Sequence, residues 1–278
     1  MRIGVAQTDP IFGQPKANVE QALALLERQP ADLWVLPEFF ATGYLFADAA
    51  EAARFAEPIP GGPTTRELAA FCHDHACFVA AGLPEAAPEG TYNAAVLVGP
   101  DGLVATYRKI HLFALEKELF LPGDRPFFVV RAGDARVGLM VCFDHLFPES
   151  ARSLALLGAD VLAHPANLVL PGLGQQTMVV RALENGVYAA TSNRVGREAR
   201  GEVELRYTGE SQIVGPRGDV LVRLSPDRVE AAVVAIDLAR ARDKSLTARN
   251  DKLADRRPNL YAAHPSRDLE TETADKRR

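Results

Sequence analysis

Short apolar runs alternate with segments of helical spacing along almost the whole chain. Residues 2–6 read as a strand. Val19, Ala22, Leu23 and Leu26 then fall three and four residues apart, which predicts one apolar helix face in a segment that Pro15 opens. A second strand is predicted over 32–36, ending at Pro37-Glu38, followed by a helix over 64–75 and a strand over 78–82. Further β-branched runs predict strands over 94–98, 103–107, 127–130, 137–141, 161–163, 187–191, 212–214, 220–223 and 229–236. VLVGPDGLVATY and QIVGPRGDVLVR share one plan. In each, Pro sets φ at a turn and Gly supplies positive φ after it, so both read as hairpins. Strand–helix–strand units mixed with hairpins predict mixed sheets covered by helices. No composition break marks a linker before about Ala239, and charged, irregular sequence follows. One domain over 1–239 and a tail over 240–278 are expected, with the end, DLETETADKRR, disordered.

Composition narrows the function classes. The length of 278 residues, with 47% apolar and 24% charged, suits a globular protein with a substantial core. A net charge of −5 gives no electrostatic footprint for nucleic acid. No apolar stretch approaches the roughly 18 residues of a spanning helix, so no membrane partner is expected. MRIGVAQ opens directly as a strand rather than a leader, and a cytoplasmic protein is expected. Three cysteines in this length do not make a disulfide framework. CHDHAC (Cys72 to Cys77) groups two cysteines and two histidines, but at spacings unlike structural zinc sites. Leu68, Phe71 and Cys72 fit a helix face and Cys77 begins the next strand, so neither a metal nor a cofactor is expected. HExxH, P-loop and dinucleotide fingerprints are absent.

Three reactive side chains fall at predicted strand exits. Glu38 follows DLWVL, Lys109 follows LVATY, and Cys142 ends VGLMV. Sites in open α/β sheets lie beyond such strand ends. VGLMVCFDHLFPESARSLALLGAD reads as strand, sharp turn, helix and strand start, with Pro148 and Glu149 suited to the first helical turn and Gly158 to the stop. A thiol at such a turn, near a helix start and a lysine, is expected to favour thiolate, with the following N–H groups free for an oxyanion. The competing reading is a buried structural cysteine. His145, three residues on, suggests a Cys-His pair, but a lysine and glutamates already fill those roles. It is expected to shape the pocket mouth or pack on a neighbour. Glu149, Arg181 and Glu184 are expected to form interhelical ion pairs.

LPEFFATGY, YRKIHLF and CFDHLFPE, in this order and at these separations, resemble the three signature blocks of the nitrilase, or carbon–nitrogen hydrolase, superfamily. The likeness continues through HPANLV, RALENGVY and TGESQIVGPRGDVL, covering about 2–255, and is strongest toward archaeal-type nitrilases and related bacterial amidases. The resemblance implies an α+β fold, a four-layer α-β-β-α sandwich with two mixed sheets, assembled into dimers or larger oligomers with tails that cross between subunits. It places the family's Glu-Lys-Cys set on Glu38, Lys109 and Cys142, and its second glutamate on Glu116 in LEKELFLPGD. Asn167 in HPANLV is a pocket residue by the same resemblance, whereas His145 departs from the family pattern.

The chemistry requires these residue types. Thiol attack on an amide or nitrile carbon needs a base, for which Glu38 is the candidate. Lys109 and the Phe143 N–H are the candidate stabilisers of the negative adduct, and Glu116 either positions Lys109 or touches substrate. The expected function is hydrolysis of small linear amides with release of ammonia through a thioester. Nitrile hydrolysis through a thioimidate and N-carbamoyl hydrolysis are the alternatives. Acyl transfer to an amine is disfavoured because that branch carries membrane spans, and a silent binding protein because Glu38, Lys109 and Cys142 are intact. The expected partners are a small amide or nitrile and a second copy of the chain. The homodimer surface is expected on the segment after Cys142 (Leu154, Ala155, Leu157), RALENGVY and a tail carrying Leu260 and Tyr261.

Overall fold

A computed structural model describes residues 1–262. In the first half, β1 (Arg2–Gln7) leads through α1 (Pro15–Leu26) to β2 (Leu33–Val35). After α2 (Ala49–Phe55) and α3 (Pro63–His75), β3 (Phe78–Ala87), β4 (Gly90–Gly99) and β5 (Gly102–Arg108) run as an antiparallel meander. The short α4 (Glu116–Leu119) opens the passage to β6 (Val129–Ala132) and β7 (Ala135–Leu139). A 3-10 turn at Cys142–Leu146 precedes α5 (Pro148–Leu156), β8 (Val161–Pro165), α6 (Leu173–Asn185) and β9 (Tyr188–Ser192). A hairpin, β10 (Arg197–Arg200) with β11 (Val203–Arg206), precedes β12 (Gln212–Val214), β13 (Val220–Arg223) and β14 (Glu230–Ala235). With α7 (Leu238–Arg242) these form one compact unit, Met1–Asp243. From Lys244 a second unit contains the strand pair β15 (Ser245–Thr247) and β16 (Asn250–Asp251) and a 3-10 turn at Pro258–Leu260. DLETETADKRR lies outside the described residues.

The two large sheets have the same plan. The first runs β14-β1-β2-β3-β4-β5 and the second β6-β7-β8-β9-β12-β13. In each, three central strands are parallel and the flanking pairs are antiparallel. The two Gly-Pro-x-Gly hairpins, β4-β5 and β12-β13, occupy corresponding edges of this repeat.

Period-2 alternation builds the layers. Ile3, Val5, Leu33 and Val35 point to one side of the first sheet and meet Val137, Leu139, Val161 and Ala163 of the second. Ala6, Trp34 and Leu36 point to the other side, under Val19, Ala22, Leu25 and Leu26 of α1 and Leu68, Phe71 and Cys72 of α3. The outer face of the second sheet packs Met140 and Leu162 under Ala151, Leu154 and Ala155 of α5 and Met178 and Ala182 of α6. The result is an α-β-β-α sandwich with two mixed sheets. Cys72 lies in this core and Cys77 is buried, while His73 and His75 are exposed.

Both sheets deliver loops to one place. Glu38 follows β2, Lys109 follows β5, Cys142 follows β7 and Asn167 follows β8. Gly82 on β3 allows the Glu38 backbone to lie against the sheet: a Cβ there would meet Glu38 Cα at 2.5 Å and Phe39 N at 3.1 Å. These are backbone atoms, so a side chain cannot be accommodated by a rotamer change. Gly82→Ala is expected to cost about 1–3 kcal/mol, as overpacking of a closed core does. Urea unfolding measures this, and unchanged stability would mean that the Glu38 backbone yields freely.

Candidate active site

Glu38, Lys109 and Glu116 form one buried charge cluster. Lys109 Nζ donates to Glu38 Oε1 at 2.8 Å and to Glu116 Oε1 at 2.8 Å, with all three side chains at most 2% exposed. Asn93 Nδ2 on β4 gives Glu38 Oε1 a second donor at 2.7 Å. Glu116 also accepts from the Tyr44 hydroxyl at 2.6 Å and the Phe113 N–H at 3.1 Å. Glu38 Oε2 is left without a partner among the described residues. Burial pushes Lys109 toward neutrality, but the Glu116 and Glu38 carboxylates more than offset it and hold the ammonium charged.

Cys142 sits at the turn between β7 and α5 with φ of 42°. That is left-handed backbone, costly for a residue with a Cβ. Asp144 and His164 hold it there. Asp144, fully buried, accepts from Val141 N–H at 2.8 Å, the Tyr107 hydroxyl at 2.8 Å and His111 Nδ1 at 2.7 Å. His164 Nε2 lies 2.9 Å from the Cys142 carbonyl, which can only accept, so the proton is on Nε2 and Nδ1 accepts from Thr191 Oγ1 at 3.1 Å. Phe39 (φ 51°) and Ala114 (φ 46°) are also left-handed, so strained backbone flanks Glu38 and Glu116 as well.

The thiol differs from the sequence expectation of a favoured thiolate. Burial and the Glu38 charge push Cys142 well up, and Lys109 and the Asn167 N–H only partly counter them. The helix that was expected to help begins only at Pro148, beyond an intervening 3-10 turn. Burial also raises Glu38, against the pull of Lys109. Burial thus favours the proton on sulfur.

The sequence profile of the carbon–nitrogen hydrolase family matches residues 2–244. The chain belongs to the carbon–nitrogen hydrolases. It is 44% identical to a nitrilase of Pyrococcus abyssi over 94% of this chain and 99% of that protein. An (R)-stereoselective amidase from Pseudomonas sp. is 38% identical over 92% of each chain. Among solved structures, an amidase mutant from Nesterenkonia sp. AN1 superposes with a TM-score of 0.76 at 28% identity, covering 94% of this chain and 95% of that one. That structure shows covalent addition of the acetamide moiety of fluoroacetamide at its active-site cysteine.

In this hydrolase a cavity opens beside Cys142, lined by Phe143, His145 and Asn167 among others. The structure thus brings all seven sequence-predicted site residues to one region. Asn167 Nδ2 donates to the Glu38 carbonyl at 2.9 Å, which fixes the amide orientation and leaves Oδ1 without a partner. His145 is buried and its Nδ1 is unpartnered. Burial, with His164 and Arg181 nearby, lowers it to about 3, so it is neutral. Arg181 corrects another expectation. Its ion pair is with Glu184 of its own helix at 3.0 Å, and its guanidinium also donates to the His145 and Leu146 carbonyls at 3.1 and 3.0 Å, clamping the turn that carries Cys142. No ion pair of Glu149 occurs among the described residues.

Sequence reasoning missed Asn93, Tyr44, Asp144 and His164. Tyr44, Asp144 and His164 lie inside motifs already singled out, LPEFFATGY, CFDHLFPE and HPANLV, but their partners are distant in sequence. Tyr44 reaches its place because Glu198 on β10 accepts from the Tyr44 and Leu45 N–H groups at 3.1 and 2.7 Å.

The two buried histidines predict a pH dependence of stability. Burial lowers His164 to about 4 from 6.5, and His145 falls further. Between these values and 6.5 the unfolded chain binds more protons than the folded one, so stability is full above pH 6.5 and falls as pH drops toward 4. His164 alone contributes a loss on the order of 3 kcal/mol. Urea unfolding across that range checks it, and His164→Gln is expected to flatten the slope.

Proposed function

We propose that Cys142 is the nucleophile, Glu38 the general base and acid, and Lys109 with the Phe143 N–H the oxyanion stabilisers in hydrolysis of small linear amides. The observation that carries this reading is the unpartnered Glu38 Oε2 on a carboxylate fixed by Lys109 and Asn93 beside a protonated thiol. Glu38 takes the Sγ proton as sulfur bonds to the carbonyl carbon. Negative charge moves to the carbonyl oxygen, where the Lys109 charge and the Phe143 N–H, at the start of a turn that leaves it no internal acceptor, lower its energy. Glu38 then returns the proton to nitrogen, the C–N bond breaks, and ammonia departs from a thioester. A water molecule that loses its proton to Glu38 attacks the thioester. The C–S bond breaks and sulfur regains a proton. Glu116 and Tyr44 act through Lys109, keeping its ammonium in place.

Nitrile hydrolysis is a second reading, supported by 44% identity to the Pyrococcus nitrilase. Sulfur would add to the nitrile carbon to give a thioimidate, and water would then release ammonia and leave the same thioester. Acid and ammonia release from a matched amide and nitrile distinguishes the two readings.

Glu38→Gln keeps the shape but removes the base, and single-turnover acylation is expected to fall roughly a thousandfold. Rapid acylation by that variant contradicts the assignment. Lys109→Met is expected to lower kcat, since the ammonium matters most once the adduct is negative. A raised KM with unchanged kcat would make Lys109 a substrate anchor instead.

We further propose a homodimer. On α5, Leu154 and Ala155 pack on their own sheet, but Leu156 and the adjoining Leu157 are about half exposed, as are Val180 and Leu183 on α6. These apolar side chains suit a second copy of the same surface. Leu260 and Tyr261 in the tail unit are exposed as well. Sedimentation at micromolar concentration is expected to give a dimer, and Leu157→Glu with Leu183→Glu a monomer; a monomeric wild type contradicts this.

A further inference from the structure

The cavity beside Cys142 has a composition that the reaction chemistry does not require. Its walls include Phe113, Phe143, Leu168, Leu170 and Leu173, and no lining residue is an aspartate, glutamate, lysine or arginine. The polar groups in it, His145 and Asn167, carry no charge at neutral pH, because burial holds the imidazole neutral. A carboxylate or ammonium entering it would lose its hydration and meet no counter-charge. The cavity is small, about 30 Å³. A space this small suits a short acyl chain rather than a long one. Leu170 and Leu173, 49% and 40% exposed, form its outer rim.

One wall is set by a glycine. A Cβ on Gly174 would lie 2.6 and 2.7 Å from the two terminal methyl carbons of Leu168. The backbone of Leu168 is pinned on both sides, its N–H donating to Asn193 Oδ1 at 2.8 Å and its carbonyl accepting from Thr208 N–H at 2.9 Å. Only the Leu168 side chain can give way, and it borders the cavity. Gly174 is in the first turn of α6 with no left-handed φ, so alanine suits its backbone.

We propose that this cavity is the acyl subsite of the hydrolase, that it selects short, uncharged acyl groups, and that Gly174 sets its depth by letting Leu168 lie back. The inference rests on the Cys142 chemistry proposed above and adds the substrate class. It excludes amides and carbamoyl compounds whose acyl side bears a carboxylate or an amine.

The test is kcat/KM for acetamide, propionamide, butyramide, hexanamide, succinamate and 4-aminobutyramide, or the corresponding nitriles, in wild type, Gly174→Ala and Leu168→Ala. Thermal unfolding verifies that each variant is folded. Propionamide and butyramide are expected to be best, with both charged compounds about a hundredfold lower than butyramide. Gly174→Ala is expected to lower the butyramide-to-acetamide ratio about tenfold, and Leu168→Ala to raise the hexanamide-to-acetamide ratio by a similar factor. Charged and neutral compounds within about threefold of each other, or ratios unchanged in both variants, overturn the subsite while Cys142-dependent turnover leaves the proposed chemistry standing. Alkylation of Cys142 by chloroacetamide and chloroacetate, followed by intact mass and normalised to free cysteine, makes the charge comparison without turnover. Preference for the neutral reagent by about tenfold supports the subsite even where no amide is cleaved, and equal normalised rates overturn it.

Discussion

The Lys109 ammonium shared between two buried carboxylates is the constraint on which the rest of the site depends. An exposed pair of this kind contributes little, but three charges out of water must each be answered. Lys109 meets Glu38 and Glu116 at 2.8 Å each, and Asn93, Tyr44 and Phe113 supply further donors to the carboxylates. Removing Lys109 would strand two buried carboxylates, so the lysine holds the cluster together. That arrangement leaves a single carboxylate oxygen of Glu38 without a partner. Burial, together with this carboxylate, raises the neighbouring thiol.

The doubled sheet explains how residues so far apart in sequence reach this cluster. The first sheet supplies Glu38, Asn93 and Lys109, and the second supplies Cys142, His164 and Asn167. Apolar side chains between the sheets fix their separation, so loops leaving the strand ends converge without needing contacts of their own. Left-handed backbone at Phe39, Ala114 and Cys142 lies on those loops. Side-chain hydrogen bonds over-determine it: Asp144 ties the Cys142 turn to Tyr107 and His111, and Arg181 ties the same turn to α6. Strain at the Cys142 turn is thereby carried by the surrounding core.

Much of this was legible in the sequence, for identifiable reasons. β-branched runs bounded by Pro and Gly marked the strands, and the paired Gly-Pro-x-Gly turns were the visible trace of the repeat in the two sheets. The sequence placed Arg181 and Glu184 on a helix but did not mark the bounds of α6, because Val180 and Leu183 on its exposed side blur the spacing of Met178 and Ala182 on its buried side. REARGEVELR gave no strand signal either, as its alternating charges serve an exposed hairpin. Strand exits singled out Glu38, Lys109 and Cys142, whereas Glu116 and Asn167 came from family resemblance alone. Asn93, Asp144 and His164 were silent because their work is done through partners that only the folded chain brings near. The thiolate expectation differed from the structure because the burial that outweighs the nearby lysine is a property of the folded chain.

The most direct test of the account is the covalent state of Cys142 during turnover. Wild-type protein mixed with excess propionamide, quenched in acid within a single turnover and digested, should yield the Cys142 peptide carrying a propionyl group. Ammonia release should precede its loss. Ammonia released at full rate from a protein whose Cys142 peptide never gains that mass would contradict the account.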